Sequence, residues 1–278
     1  MIFFSTFQWY LTMIFFCLDL NSIYFFYQIN KTSNPINNYH RIMRYLSIFW
    51  FINCVWRSIF PALYLQRFVF YDIVLNSILV NRTFAFIGEM CWISQIVIVM
   101  ISISYTLNNR SLIHRIIKYI GYLSIYTYFI AELMSYYNTA TKNQLWCVFE
   151  IAMDSISLII LFPSIIYLVF KCKDKYYESN GKKFLIFMSL FSIIYPLYNF
   201  SIMIPMYLER YKQDTQNNTT YLNFWDGIKD AGITRIKTHD FDDWKDDCIW
   251  MFLYFYFGSI MGLWMMTGPT INLIKIKD

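Results

Sequence analysis

Seven long apolar runs constrain this chain more than any motif in it. They lie at about 5 to 29, 45 to 65, 83 to 106, 118 to 137, 145 to 170, 184 to 207 and 248 to 271. Each reaches the ~18 to 20 residues that carry a helix across a hydrocarbon layer. The runs are unbroken rather than alternating with period two, which favours helices over a barrel. With 58% hydrophobic and only 15% charged residues over 278 positions, the polar surface is too small to coat a soluble globule. The expected fold is an all-α polytopic transmembrane bundle of about seven spans, a single domain over 1–278 embedded in a lipid bilayer. The segment 68–80, FVFYDIVLNSILV, is apolar but short. As a helix it would rise only about 20 Å, so it reads as an interfacial or re-entrant piece or an extension of the third helix, with an eighth span as the alternative.

Basic residues set the orientation. Lys and Arg gather around 31–44, 110–118, 171–183 and 275–277, whereas the short loops of the other side hold Arg67, Arg82 and Lys142. The basic side is expected to be cytoplasmic, giving N-terminus outside and C-terminus inside. The opening MIFFSTFQWYLTMIFF lacks a basic n-region and a small-residue cleavage site, so the first span is expected to be retained. The net charge of +5 follows from this topology and calls for no nucleic-acid partner; anionic lipid heads are its natural neighbours.

Several seven-span classes are excluded by specific residues. The last run, CIWMFLYFYFGSIMGLWMMTGPTI, has no lysine to hold retinal, and neither the Asp-Arg-Tyr-like nor the Asn-Pro-x-x-Tyr pattern of G-protein-coupled receptors is present. His40, His114 and His239 all fall in expected loops, which excludes a histidine-ligated intramembrane zinc site. No nucleophile elbow, His-Glu-x-x-His, phosphate loop or Cys-x-x-Cys occurs, and no cofactor is expected.

The candidate site comes from the few charges inside the runs. Counting ~1.5 Å per residue from the outer end of each run, Glu132 and Glu150 lie about 7 Å deep, Glu89 about 9 Å, and Arg57 and Asp154 about 12 to 14 Å. Five ionisable groups at similar depth point to a shared, outward-opening acidic cavity among spans two to five, because an isolated charge there costs several kcal/mol. Asn199 comes to a similar depth, with Gln95 and Asp19 nearer the middle. Glu150 and Asp154 are four apart and share a helix face, as do Arg82 and Glu89 two turns apart. Arg57 is the expected counter-ion. One guanidinium does not neutralise so many carboxylates, so the remaining acids must be protonated, hydrated or bound to a cation.

Three readings of this cluster stay open. One is a cation- or proton-linked transporter or channel, with small cations or protons as partners. A second is a membrane-embedded enzyme using carboxylates, or a carboxylate-bound metal, on a lipid-like substrate. The third is a structural membrane protein whose buried ionic network fixes helix packing. The oligomeric state is open.

Outside the runs, 208–247 is the one sizeable polar segment and is expected to be an extracytoplasmic loop. It carries overlapping glycosylation sequons at Asn217 and Asn218. Triplets at Asn30, Asn81, Asn109 and Asn199 read as chance matches. The acids from Asp240 to Asp247 lack the spacing of a calcium loop and are expected to begin the last helix, with Phe241 and Trp244 in the membrane interface. Cys147 and Cys248 both start helices on the outer side, which leaves a disulfide geometrically open, and Cys172 between two lysines suits palmitoylation. Gly258 and Gly262 have GxxxG spacing for close helix packing, and Pro61, Pro163 and Pro196 are expected kinks.

The strings WRSIFPALYLQR, NRTFAFIGEMCWISQ, AELMSYY, IPMYLERYKQ, YLNFWDGIKDA and THDFDDWKDDCIWMFLYF resemble a family of multi-pass membrane proteins found in bacteria, algae and large DNA viruses. The resemblance covers about 44 to 260 and implies a multi-pass fold, with weight on Arg57, Arg67, Arg82, Glu89, Gln95, Glu132, Glu150 and Trp244. It implies no reaction. The chain departs from that pattern at Ile151, where a second acid would follow Glu150, and in its aromatic-rich last run. Enrichment in Asn, Ile, Lys, Tyr and Phe fits an AT-rich genome, such as that of a ciliate, a slime mould or an amoeba-infecting giant virus whose products enter a host membrane.

Overall fold

The computed structural model describes residues 20, 24, 27, 38–108, 111–171, 179–245, 247, 250, 251, 254, 255, 258, 261 and 262. The runs expected at 5 to 29 and 248 to 271 lie largely outside these residues. Cys17, Asp19, Cys172, Asp246 and Cys248 lie outside them altogether.

The described chain is dominantly helical: α1 Asn38–Ile59, α2 Ile78–Asn108, α3 Leu112–Thr141, α4 Gln144–Lys171, α5 Ser179–Tyr198, α6 Ile204–Gln216, α7 Phe224–Ile233 and α8 Phe241–Trp244. Among the described residues, three helical stretches are long and apolar enough to cross a membrane: Ile78–Tyr105, Gln144–Lys171 and Lys183–Gln216. They coincide with three of the expected runs. Helices α1 and α3, of 22 and 30 residues, form over two more runs, but their composition is too polar for that class. His40 and His114 prove to be helical rather than loop residues, because α1 and α3 start before their apolar runs do.

The segment 68–80 is neither a span nor a helical extension for most of its length. Helix α1 ends before Pro61, whose ring and missing N–H stop the α ladder, so this proline terminates the helix rather than kinking it. Beyond it, β1 Ala62–Leu63 pairs antiparallel with β2 Phe68–Val69, and β2 pairs in parallel with β3 Ile236–Lys237. A single 3-10 turn, Val74–Asn76, then leads into α2.

The polar segment 208–247 is folded as well. Its first part continues α6, and the rest supplies α7, β3 and α8. Asp240 caps the four-residue α8 by accepting from Asp242 N at 3.1 Å. Trp244, expected in the interface, is fully buried. It packs with Leu63, Phe70, Met251 and Phe255, with side chains of the strand hairpin covering it.

The chain divides into two compact units. One comprises Met1–Cys91, Thr139–Lys142 and Tyr221–Leu263; the other comprises Trp92–Asn138, Asn143–Thr220 and Trp264–Asp278. In the first, the GxxxG pair makes room for an aromatic rather than for a bare backbone. A Cβ on Gly258 would lie 2.7 Å from Trp50 Cζ2, and one on Gly262 would lie 2.5 Å from Trp50 Cδ1. The indole fills the slot and donates from Nε1 to Gly258 O at 2.6 Å.

In the second unit α4 packs on α5, the π-wound turn Asn199–Met203, and α6. Pro163 lies inside α4, and Pro196 lies inside α5 just before the π turn, which relieves the hydrogen bonding the proline disrupts. Serine hydroxyls tie α3 to α4, with Ser124 Oγ 2.7 Å from Ser157 Oγ. Asn199 Nδ2 donates to Ser155 Oγ at 3.0 Å.

Candidate functional site

Arg57 stands in the last turn of α1. It is therefore only about 3 Å from that helix's end by the helical rise, not the 12 to 14 Å expected from a run extended through Pro61. It is almost fully buried, as is Glu89 on α2. Its Nη1 donates to Glu89 Oε1 at 3.2 Å, and the Tyr254 hydroxyl donates to the same oxygen at 2.5 Å. Arg82, two turns earlier on α2, approaches the other oxygen at 3.8 Å. Asn53 Nδ2 donates to the Tyr254 hydroxyl at 2.8 Å. Gly88 permits the close approach of α1, since a Cβ there would sit 2.4 Å from Asn53 Cβ.

Aromatic faces complete the enclosure. The Arg57 guanidinium carbon is 4.5 Å from the Tyr254 ring centroid, 5.4 Å from Trp250 and 5.5 Å from Tyr64. Such contacts favour the cation in a desolvated setting. Buried Asp247 accepts from Trp250 Nε1 at 2.7 Å, which joins a second carboxylate to the cluster. Arg57 and Arg82 both face Glu89, so this carboxylate sits between two guanidiniums.

The other three expected site residues belong to the second unit. Glu132 on α3 and Asp154 on α4 are buried, and Glu150 is half-buried. No Lys or Arg occurs at 119–141 or 144–170, the stretches of these helices in which the carboxylates lie. Asp154 directly precedes Ser155, the partner of Asn199 in the π turn. Among the described residues no group of three or more His, Cys, Asp or Glu is placed to hold a metal.

A third polar centre, which the sequence reading left without a role, is built on Arg67. The residue is fully buried and has a φ of 62°, a left-handed conformation rare for arginine. Its guanidinium meets five acceptors: Nε donates to Asp230 Oδ2 at 2.7 Å, Nη1 to Tyr64 O and Thr139 O, and Nη2 to Ala140 O and Gly227 O. The Thr139 and Ala140 carbonyls belong to the last turn of α3, where a cation also favours the helix dipole. Lys142 Nζ adds a contact to Asp230 at 3.3 Å. Burial pushes the Asp230 carboxyl up, but the Thr234 hydroxyl, the Arg67 guanidinium and Lys142 outweigh it and hold the group below the usual carboxylate range.

Gly227 is part of the same knot. A Cβ there would lie 2.0 Å from Ala140 O, backbone against backbone, so neither side can yield by a rotamer change. Gly227→Ala is expected to detach α7 from the end of α3. Limited proteolysis should then cut within 221–237 many times faster than in wild type; an unchanged digestion pattern would refute the tight contact.

The remaining expectations fall outside these clusters. Asn217 and Asn218 are exposed just past α6. Cys147 is buried, and its sulfur accepts from Asn138 Nδ2 at 2.8 Å. Cys248, its expected partner, lies outside the described residues. Ser104 Oγ is 2.8 Å from His114 Nδ1, and His239 Nε2 is 2.9 Å from Phe70 O, so both imidazoles serve local bonds. No protein-family pattern, curated protein or solved structure matches the chain.

Proposed function

We propose that the chain is a seven-span integral membrane protein, N-terminus outside and C-terminus inside, and that its second unit carries a cation- or proton-linked pathway. Three helical stretches of crossing length support the membrane setting. So do large side chains such as Tyr126, Phe170, Ile194 and Leu197, each more than half exposed on long helices where water would be a poor neighbour. The observation that carries the pathway is the burial of Glu132 and Asp154 within 119–141 and 144–170, stretches that hold no Lys or Arg. Ionisable groups inside membrane-spanning helices are where proton and ion paths run. Glu132, Glu150 and Asp154 are the titrating groups of this reading, and the Asn199 π turn beside Ser155 is its polar neighbour.

The test is proton and alkali-cation flux in proteoliposomes, wild type against Glu150→Gln. Glu150 is half-buried and its replacement is isosteric, so the variant should fold and insert while flux falls at least tenfold. Equal flux in both, or none in either across a range of pH, would overturn the pathway.

For the first unit a specific observation favours the architectural reading. Glu89 is engaged by Arg57, Arg82 and Tyr254 at once. A carboxylate held between two guanidiniums is poorly suited to bind a further cation.

A further inference from the structure

The 3-10 turn ahead of α2 presents Ile73, Val74 and Leu75 to the outside, with Val74 69% exposed. Ile233, 72% exposed, and Ile236 join them. Arg235 brings the two segments together, its Nε bound to Asp72 Oδ1 at 2.9 Å and its Nη1 to Gly232 O at 3.3 Å. Ile236 pairs with Phe68, and a Cβ on Gly232 would be 3.8 Å from Leu79 Cδ2. The result is an aliphatic surface formed by two distant parts of the chain and rimmed by Arg235 and Lys237. None of Ile73, Val74, Leu75, Ile233 and Ile236 belongs to the core under the strand hairpin.

We infer that this surface docks into the headgroup and upper acyl layer of the protein's own bilayer, which anchors the folded segment 221–237 to the outer leaflet. The inference rests on the multi-pass reading. Chain continuity selects lipid as the occupant: Leu75 is three residues from Ile78, where a stretch long and apolar enough to cross the membrane begins. Three residues span at most ~10 Å, and interfacial apolar faces sit about 5 to 10 Å into the headgroup boundary. The residue types agree, since the patch is aliphatic at its centre, carries Tyr71 at its edge and is basic at its rim, the order found from acyl chain to headgroup. An exposed apolar patch with a polar rim marks an interaction surface, and here the nearest one the chain itself reaches is the membrane.

The test labels Val74→Cys with an environment-sensitive thiol fluorophore in vesicles of phosphatidylcholine and phosphatidylglycerol, with Thr219→Cys as the exposed control and wild type as labelling background. Lipids brominated near the top of the acyl chain should quench the Val74 probe several-fold more than the Thr219 probe, and iodide in the aqueous phase should do the reverse. Alkaline extraction is run in parallel. If the chain resists extraction but the Val74 probe is as open to iodide as the control, the docking surface fails and the multi-pass reading stands. A probe shielded from both quenchers means a protein covers the patch, which also overturns the inference. Release of the chain by alkali would remove the multi-pass reading and this inference with it.

Discussion

Glu89→Ala is expected to destabilise the protein by roughly 3 to 5 kcal/mol, the usual cost of leaving a buried charge without its partner. Two features put it at the upper end. Glu89 answers both Arg57 and Arg82, and its Oε1 is also the acceptor of the Tyr254 hydroxyl, so one truncation takes the acceptor from two donors and a nearby counter-charge from Arg82. Glu89→Gln retains shape and an acceptor but loses the charge, and its smaller loss would measure how much of the effect is ionic. The double variant Arg57→Met, Glu89→Leu should lose clearly less than the sum of the two single changes, since residues in one network are coupled. Thermal unfolding in a mild detergent reads all of these. Wild-type stability in Glu89→Ala would show that the network contributes nothing to folding.

What could be read from the sequence divides by the range of the interaction that decides it. Helices α2, α4 and the α5 to α6 stretch follow from apolar runs, a local property; most of their limits were legible to within a few residues, but α6 runs on to Gln216, nine residues past the expected end. That Arg57 serves as counter-ion to a carboxylate in the runs was legible for the same reason, because few charges occur there, but which carboxylate it meets was not. The depth of Arg57 was not. Residues 60–65 are as apolar as a span but lie beyond the helix end before Pro61, and part of them forms β1, a pairing decided by residues at 68–69.

Trp244 misled in the opposite way. A tryptophan beside a row of aspartates near a run's end has the composition of a membrane interface. Its burial depends on Leu63 and Phe70 folding over it from far away in the chain. The resemblance put weight on Arg67, but the centre built on it left no signal of its own, since four of its five acceptors are backbone carbonyls, and those carry no residue identity. Only the acid of Asp230 could have been guessed, and nothing in its spacing from Arg67 suggests the pair.

Arg67→Lys is expected to cost about 2 to 4 kcal/mol, nearly as much as removing the side chain, although the charge is conserved. A lysine offers three donors on a flexible stem where five acceptors are arranged around a planar fork, so at least two buried carbonyls lose their partner. Arg67→Ala should cost slightly more, because Asp230 then loses its main counter-charge. Thermal unfolding gives the magnitude, and proteolysis within 221–237 shows whether the loss is local to the clamp. A lysine variant as stable as wild type would mean that charge alone, not the five-bond geometry, holds this segment.

The same clamp has a defined pH response. Asp230 has its pKa lowered in the folded state, so its stabilising contribution is complete above the unfolded carboxylate value near ~4. It is lost as pH falls through the lower folded value. Acidification from pH 6 to below about 3 should therefore raise protease sensitivity in 221–237. Asp230→Asn should start from a weaker clamp and show little of that pH dependence. If the wild type and Asp230→Asn gain sensitivity in parallel on acidification, a different carboxylate governs the segment, and Arg67 is held by its backbone carbonyls alone.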